Sequence, residues 1–208
     1  TYTIYRDYPV ITRNARFECG LPEGIRLNTA MSSSLDLPDM DYEMVELTGA
    51  WSRERAVRNR KLEHGIQSIY SMRGCSSNNY NPFLALKRPG TDENSGEVYG
   101  FSLVYSGNFL AQAEVDTYHV TRVLMGIHPS GFQWSLQDGE SFQTPEAVMV
   151  YSDAGLNGMS QTYHELYRTR LARGVWRDRV RPILINNWEA TYFHFNEEKI
   201  LALANTAT

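Results

Sequence analysis

The sequence predicts a mainly β chain: an antiparallel β-sandwich over residues 1–152, a connecting helix over 153–177, and from 178 the opening of an α/β unit. Three observations carry this. As far as Ser152 the chain is built of short runs of Val, Ile, Tyr, Phe and Thr broken by Gly, Pro, Asn and Asp, the punctuation of antiparallel strands. After Asp153 the apolar residues recur at three- and four-residue steps, the period of one helix face. Beyond Arg181 comes a short apolar run without alternation, of the sort buried on both faces in a parallel sheet.

The elements follow in chain order. Leu37-Pro38-Asp39 and Arg88-Pro89-Gly90-Thr91-Asp92 read as connections within the sheets, because strand-like sequence resumes directly after each. In Tyr99–Ser106 the alternation puts Tyr99, Phe101, Leu103 and Tyr105 on one face. Ser106-Gly107-Asn108 then predicts a hairpin turn into Phe109–Val115. Gln137-Asp138-Gly139-Glu140 is a second turn, ahead of a strand from Ala147 to Tyr151. Leu156, Met159, Tyr163, Leu166, Tyr167 and Leu171 form the helical stripe, and Gly174 stands where a glycine would end the helix. Ile183-Leu184-Ile185 is the expected parallel strand, and Asn196 caps a final helix opened by Glu197 and Glu198. One βα unit cannot bury both faces of its strand, and both ends of the chain read as cut within an element. The expectation is therefore a piece of a larger protein.

Composition excludes several classes. Over 208 residues, 42% hydrophobic and 21% charged is a globular balance that fits neither disorder nor a membrane-embedded chain. A net charge of -4 gives no pull towards phosphate backbones, so no nucleic-acid partner is expected, and no apolar run is long enough for a bilayer. Cys19 and Cys75 lack zinc-type spacing and read as two inert thiols of a reducing, cytoplasmic compartment. The histidines at 64, 119, 128, 164 and 194 show no ligand spacing, and there is no Gly-rich phosphate loop, so neither metal nor cofactor is expected. Thirteen tyrosines and four tryptophans serve equally the packing of sheets and the apolar faces of sugars.

In parallel α/β folds ligands lie beyond the carboxyl ends of the strands, where Asn186, Asn187, Trp188 and Glu189 stand. Trp188 would offer a flat face to a sugar ring and either asparagine could bond a hydroxyl; equally, Trp188 would plug the mouth of the fold. Trp51-Ser52-Arg53-Glu54-Arg55, followed by Arg58, Arg60 and Lys61, is the one basic cluster, read on its residues as a solvated loop with internal Arg–Glu pairing.

Pro182-Ile183-Leu184-Ile185-Asn186-Asn187-Trp188-Glu189-Ala190-Thr191-Tyr192-Phe193 resembles the first barrel strand of glycoside hydrolase family 36, the bacterial α-galactosidases. Tyr5–Pro9, Ser34–Pro38, Gly49–Arg55, Val98–Asn108 and Phe142–Glu146 resemble, in order, segments of that family's N-terminal β-sandwich. The resemblance implies a partial sandwich, a linker helix and the first βα unit of a (β/α)8 barrel. It implies a retaining α-galactosidase acting on melibiose- or raffinose-type sugars without cofactor, in a homo-oligomer, a tetramer. Its two catalytic aspartates, about 5 Å apart, would lie on later barrel strands outside this chain. The resemblance further implies Trp188 as a wall of the galactose pocket, with Asn186 and Asn187 beside it, and makes Trp51 and Arg53 subsite or interface residues. Two positions depart from the family pattern: His194 replaces an aspartate, and Asn78 stands where a histidine is common. The rivals are another specificity, α-N-acetylgalactosaminidase or galactosyl transfer, and a non-catalytic carbohydrate-binding or assembly module.

Overall fold

The structure, a computed structural model, describes residues 1–207 and separates into two compact units, Thr1–Tyr167 and Arg168–Thr208. In the first, seven strands form one sheet: β1 Tyr2–Ile4, β2 Val10–Arg13, β6 Glu43–Ala50, β7 Arg53–Lys61, β9 Tyr80–Lys87, β10 Val98–Val104 and β15 Glu146–Ser152, in the order β1-β2-β15-β10-β9-β6-β7. Four more, β5 Met31–Leu37, β8 Gly65–Ser71, β11 Phe109–Val115 and β12 Thr121–Ile127, form a second sheet in the order β5-β12-β11-β8. All these pairings are antiparallel. Two small ribbons complete the unit, β3 Arg16–Glu18 with β14 Ser141–Gln143 and β4 Ile25–Leu27 with β13 Trp134–Leu136.

Strand alternation assigns the faces. Met44, Leu84, Leu86, Phe101 and Leu103 of the large sheet meet Ile69, Phe109, Ala111, Val123 and Met125 of the small one in the central core. Val45, Ala85, Val98, Val148 and Val150 of the same sheet point the other way, into a second apolar layer. Helix α1, Gly155–Leu166, covers that layer with Met159, Tyr163 and Leu166, each burial contributing about 1.5–3 kcal/mol. The large sheet is thus buried on both faces where α1 lies. The helix comes this close because β10 has no side chain at Gly100: a Cβ there would stand 2.6 Å from the Met159 sulfur and 2.8 Å from the Tyr163 ring. Tyr163 is fixed in turn by its hydroxyl, which donates to the Val148 carbonyl at 3.0 Å.

The start of α1 has no side-chain cap; instead the Leu156 and Asn157 N–H groups donate to the Asp92 and Glu93 carbonyls of the β9–β10 connection. That connection is itself anchored by Arg88, which holds Asp39 through two hydrogen bonds, pairs with Glu97, and lies 4.0 Å over the Tyr42 ring. The guanidinium keeps the Asp39 carboxyl below its ordinary range, and burial above all pushes the Tyr42 phenol up to about 12.

Two expectations need correction here. Ser106-Gly107-Asn108 does not close a hairpin: β10 pairs with β9 and β15 in the large sheet, whereas β11 pairs with β8 and β12 in the small one. The turn residues carry the chain from one sheet to the other, a use that local sequence cannot distinguish from a hairpin. The basic stretch from Trp51 is not a loop either, since Arg53–Lys61 is a nine-residue strand at the edge of the large sheet. Leu171, in a π-type turn Tyr167–Leu171 that follows α1, is exposed although it continues the stripe.

In the second unit a short 3₁₀ turn, Val175–Arg177, leads to an irregular stretch and then to α2 Trp188–Thr191 and α3 Glu197–Ala207. Ile183, Leu184 and Ile185 lie in the irregular stretch, which corrects the expected strand. A strand needs a ladder partner, and among the described residues this segment has none; Leu184 is 91% exposed. Asn196 caps α3 as expected, its Oδ1 accepting from the Lys199 N–H at 3.0 Å. No helix among the described residues is long and apolar enough to cross a membrane.

Candidate functional site

Asn186, Asn187 and Trp188 form a tight local turn. Asn186 Oδ1 accepts from the Trp188 N–H at 2.9 Å, Asn187 Nδ2 donates to Thr191 Oγ1 at 2.8 Å, and the Tyr192 N–H donates to the Trp188 carbonyl at 2.7 Å. Tyr192, at φ 46°, reverses the chain so that its own ring and that of Phe193 meet the indole edge to face, at 5.5 and 4.9 Å. Trp188 is therefore braced on its own segment while 44% exposed. The two asparagines, expected as ligand donors, are engaged in shaping that turn. Glu189 Oε2 accepts from the Tyr192 hydroxyl at 3.4 Å, and His194 enters the same local set through its carbonyl, which takes a bond from Lys199 Nζ.

In the first unit Trp51 and Arg53 flank Ser52 at the tip of the β6–β7 hairpin. Ser52 sits at φ 62° in the turn, its N–H bonded to Glu54 Oε1, and Trp51 is 82% exposed with no core to enter. The Arg–Glu pairing expected inside the stretch runs across the hairpin instead, from Arg60 to Glu46 at 2.7 Å. On the hairpin's inner face lies a mixed polar and apolar cleft of about 340 Å3, lined by Glu46, Thr48, Gly49, Ala50, Arg53, Ala56, Arg58, Asn79 and Tyr80. Sequence reasoning passes over Asn79 and Tyr80 as cleft residues. The irregular register where β9 meets β6, between Glu46 and Thr48, is what brings them to the hairpin, and nothing local encodes it.

A larger hollow, about 440 Å3, lies at the β1–β2 end of the same sheet, between Tyr2, Ile4, Ile11, Leu35, Met149 and Tyr151. Its walls are mostly apolar, and the hydroxyls of Tyr2 and Tyr151 are engaged with Arg13 and Glu97. Among the described residues no group of three or more His, Cys, Asp or Glu could hold a metal ion. His64 and His119 meet edge to face at 5.0 Å, with His64 Nδ1 on the Asp116 carbonyl, and His128, whose pKa is lowered by burial, packs against Tyr70.

Comparison with known proteins extends this picture. Residues 1–137 match the glycosyl hydrolase family 36 N-terminal domain, and residues 141–208 match the melibiase model. The chain is 64% identical over 206 residues to the alpha-galactosidase AgaA of Geobacillus stearothermophilus, covering 99% of this chain and 28% of that protein. It is 44% identical over 206 residues to alpha-galactosidase 1 of Pediococcus pentosaceus, again 99% of this chain and 28% of the relative. Among solved structures, a variant of AgaA in complex with raffinose superposes at a TM-score of 0.92 with 63% identity, over 99% of this chain and 29% of that one. The Lactobacillus brevis alpha-galactosidase superposes at 0.93 with 46% identity, over 99% and 28%. The chain thus spans under a third of the length of the relatives it matches.

Proposed function

The chain belongs to glycosyl hydrolase family 36, and from that premise we propose that it is the N-terminal part of an α-galactosidase that removes terminal α-galactosyl groups from raffinose- or melibiose-type sugars. One observation carries the reading: the sandwich and the start of the melibiase region match in order along nearly the whole chain, at 64% identity to an alpha-galactosidase. The raffinose and stachyose complexes of AgaA variants support the substrate class.

On this reading the chemistry is a double displacement between two carboxyl groups contributed by later parts of the protein. This chain's share is binding. Trp188, braced by Tyr192 and Phe193, packs its exposed indole against a galactose face, and such a rigid anchor loses little entropy on binding. Asn187 and Asn186 hold the turn that presents it. Trp51, exposed at the hairpin tip, and Arg53 beside it complete a subsite or an interface of a cytoplasmic tetramer. The test is turnover of raffinose and an aryl α-galactoside by the full-length protein, with NMR of the sugar anomer released first. α-Galactose first supports retention; β-galactose overturns the double displacement, and absence of turnover overturns the hydrolase reading. The 208-residue chain alone is expected to give no turnover.

A further inference from the structure

We propose that His64 and His119 form a two-imidazole site for a late divalent transition-metal ion of the Zn2+ class, at one end of the small sheet. The inference is independent of the hydrolase reading, because it rests on residues of the sandwich unit that take no part in that reading.

The two histidines lie far apart in the chain, and sheet register brings them together. β8 pairs with β11 so that Gly65 lies opposite Val115, which sets His64, just before β8, against Asp116, just after β11. Asp116 opens the turn into β12: its Oδ1 accepts from the Tyr118 and Val120 N–H groups at 2.8 and 2.9 Å. Its carbonyl takes two further bonds, from the His119 N–H at 3.2 Å and from His64 Nδ1 at 3.0 Å. One carbonyl thus anchors both histidines, His119 through its backbone and His64 through its ring. His119 stands at φ 68°, in the left-handed region that histidine enters more readily than most residues, and its ring centre lies 5.0 Å from that of His64.

A carbonyl can only accept, so the proton of His64 sits on Nδ1 and Nε2 carries a bare lone pair. Metal-ligating histidines share this arrangement, giving their second nitrogen to a carbonyl or carboxylate. Among the described residues neither ring has another hydrogen bond, and both residues are exposed, so burial does not account for their meeting. Two imidazoles on one tetrahedral ion, with metal–nitrogen bonds of about 2.0–2.1 Å, have ring centres about 5 Å apart. The edge-to-face pair already has that spacing. His64 is held by the carbonyl, so His119 is the ring that turns to the ion, about a broad torsion and with no bond of its imidazole to break. With no third protein ligand among the described residues, water fills the remaining positions, and imidazole donors select Zn2+, Cu2+ or Ni2+ over Mg2+. The ion clips the start of β8 to the β11–β12 turn.

The experiment follows the imidazole 15N resonances of the 208-residue chain by NMR during titration with ZnCl2, and separately with MgCl2. His64 Nε2 and one His119 nitrogen should shift on a single saturable curve with a Kd of about 1–100 µM, roughly half the binding free energy of a four-ligand zinc site. His119→Gly, which suits the positive φ, should keep the remaining spectrum and weaken the His64 response at least about tenfold, the loss that even a ligand's supporting partner causes. No saturable shift, different midpoints for the two rings, wild-type affinity in His119→Gly, or Mg2+ moving the same resonances would each overturn the proposal.

Discussion

Gly100→Ala tests how the helix is held on the large sheet. The added methyl carbon would stand 2.6 Å from Met159 Sδ, 2.8 Å from Tyr163 Cε2 and 3.1 Å from Met159 Cγ, all inside normal contact. Met159 can swing aside at modest cost. Tyr163 cannot, because its hydroxyl is bound to the Val148 carbonyl at 3.0 Å and its ring meets Phe83 edge to face at 5.9 Å. Overpacking of this kind costs about 1–3 kcal/mol. Replacing a strand glycine returns roughly 0.5–1 kcal/mol through the unfolded chain, so the net expectation is a loss of about 1–2 kcal/mol. Urea unfolding followed by tyrosine fluorescence would read this as a lower midpoint at unchanged slope. The companion is a double-mutant cycle with Met159→Ala, which should destabilise wild type by about 2–5 kcal/mol but cost less in the Gly100→Ala background, where the new methyl occupies vacated space. A Gly100→Ala protein as stable as wild type, or strict additivity with Met159→Ala, would show that α1 is not held by this contact.

Three further outcomes are expected. Asp39 titrates below its ordinary 3.8 because Arg88 stabilises its charged form, so this contribution to stability is present above that value and is lost as pH falls through the lower folded value; Arg88→Gln should flatten that limb of an acid denaturation curve, and an unchanged limb would refute the pairing. Tyr42 is raised from 10.0 to about 12, so between those values the unfolded chain sheds a proton that the folded chain keeps, and stability should fall with rising pH across that window; Tyr42→Phe should reduce the fall, as alkaline urea titrations would show. On the proposed function, Trp188→Ala in the full-length protein should lower kcat/KM for an α-galactoside at least about thirtyfold, the effect of truncating a rigid anchor, whereas His194→Asp should leave it unchanged or improve it; the reverse ranking in steady-state kinetics would overturn the proposed contact of Trp188 with the sugar.

The sequence-to-structure correspondence is uneven for definite reasons. Alternation is local, so Tyr99, Phe101 and Leu103 on one face of β10 can be read directly from the chain. The stripe of α1 was equally plain at Met159, Tyr163 and Leu166. Pairing partners are not local. Nothing between Tyr99 and Val115 says that the turn at Gly107 changes sheets, because a turn dictates a reversal and not its destination. Ile183–Ile185 has the composition of a buried strand, but a strand is a relation between two segments, and among the described residues none pairs with this one. At the candidate site, Trp188 and Trp51 were conspicuous as residues. Their surroundings were not: the bonds of Asn186 and Asn187 to their own turn, and the meeting of Asn79 and Tyr80 with the hairpin, depend on backbone geometry that side-chain identity leaves open.

The order of strands in the large sheet has a consequence for synthesis on the ribosome. β2 lies against β15, Val10 opposite Val150, and just beyond them the Ala15 N–H donates to Thr144 Oγ1 across 129 positions of chain. At about 5–20 residues per second, Thr144 emerges roughly 6–26 s after Ala15. Throughout that interval β2 lacks its β15 partner, and Tyr2, Ile4, Val10 and Ile11 are available to a wrong one. β1 and β2 are therefore placed in the sheet long after they are made, and a nascent chain of this protein should engage holding chaperones through Tyr2–Arg13 until β15 has been translated.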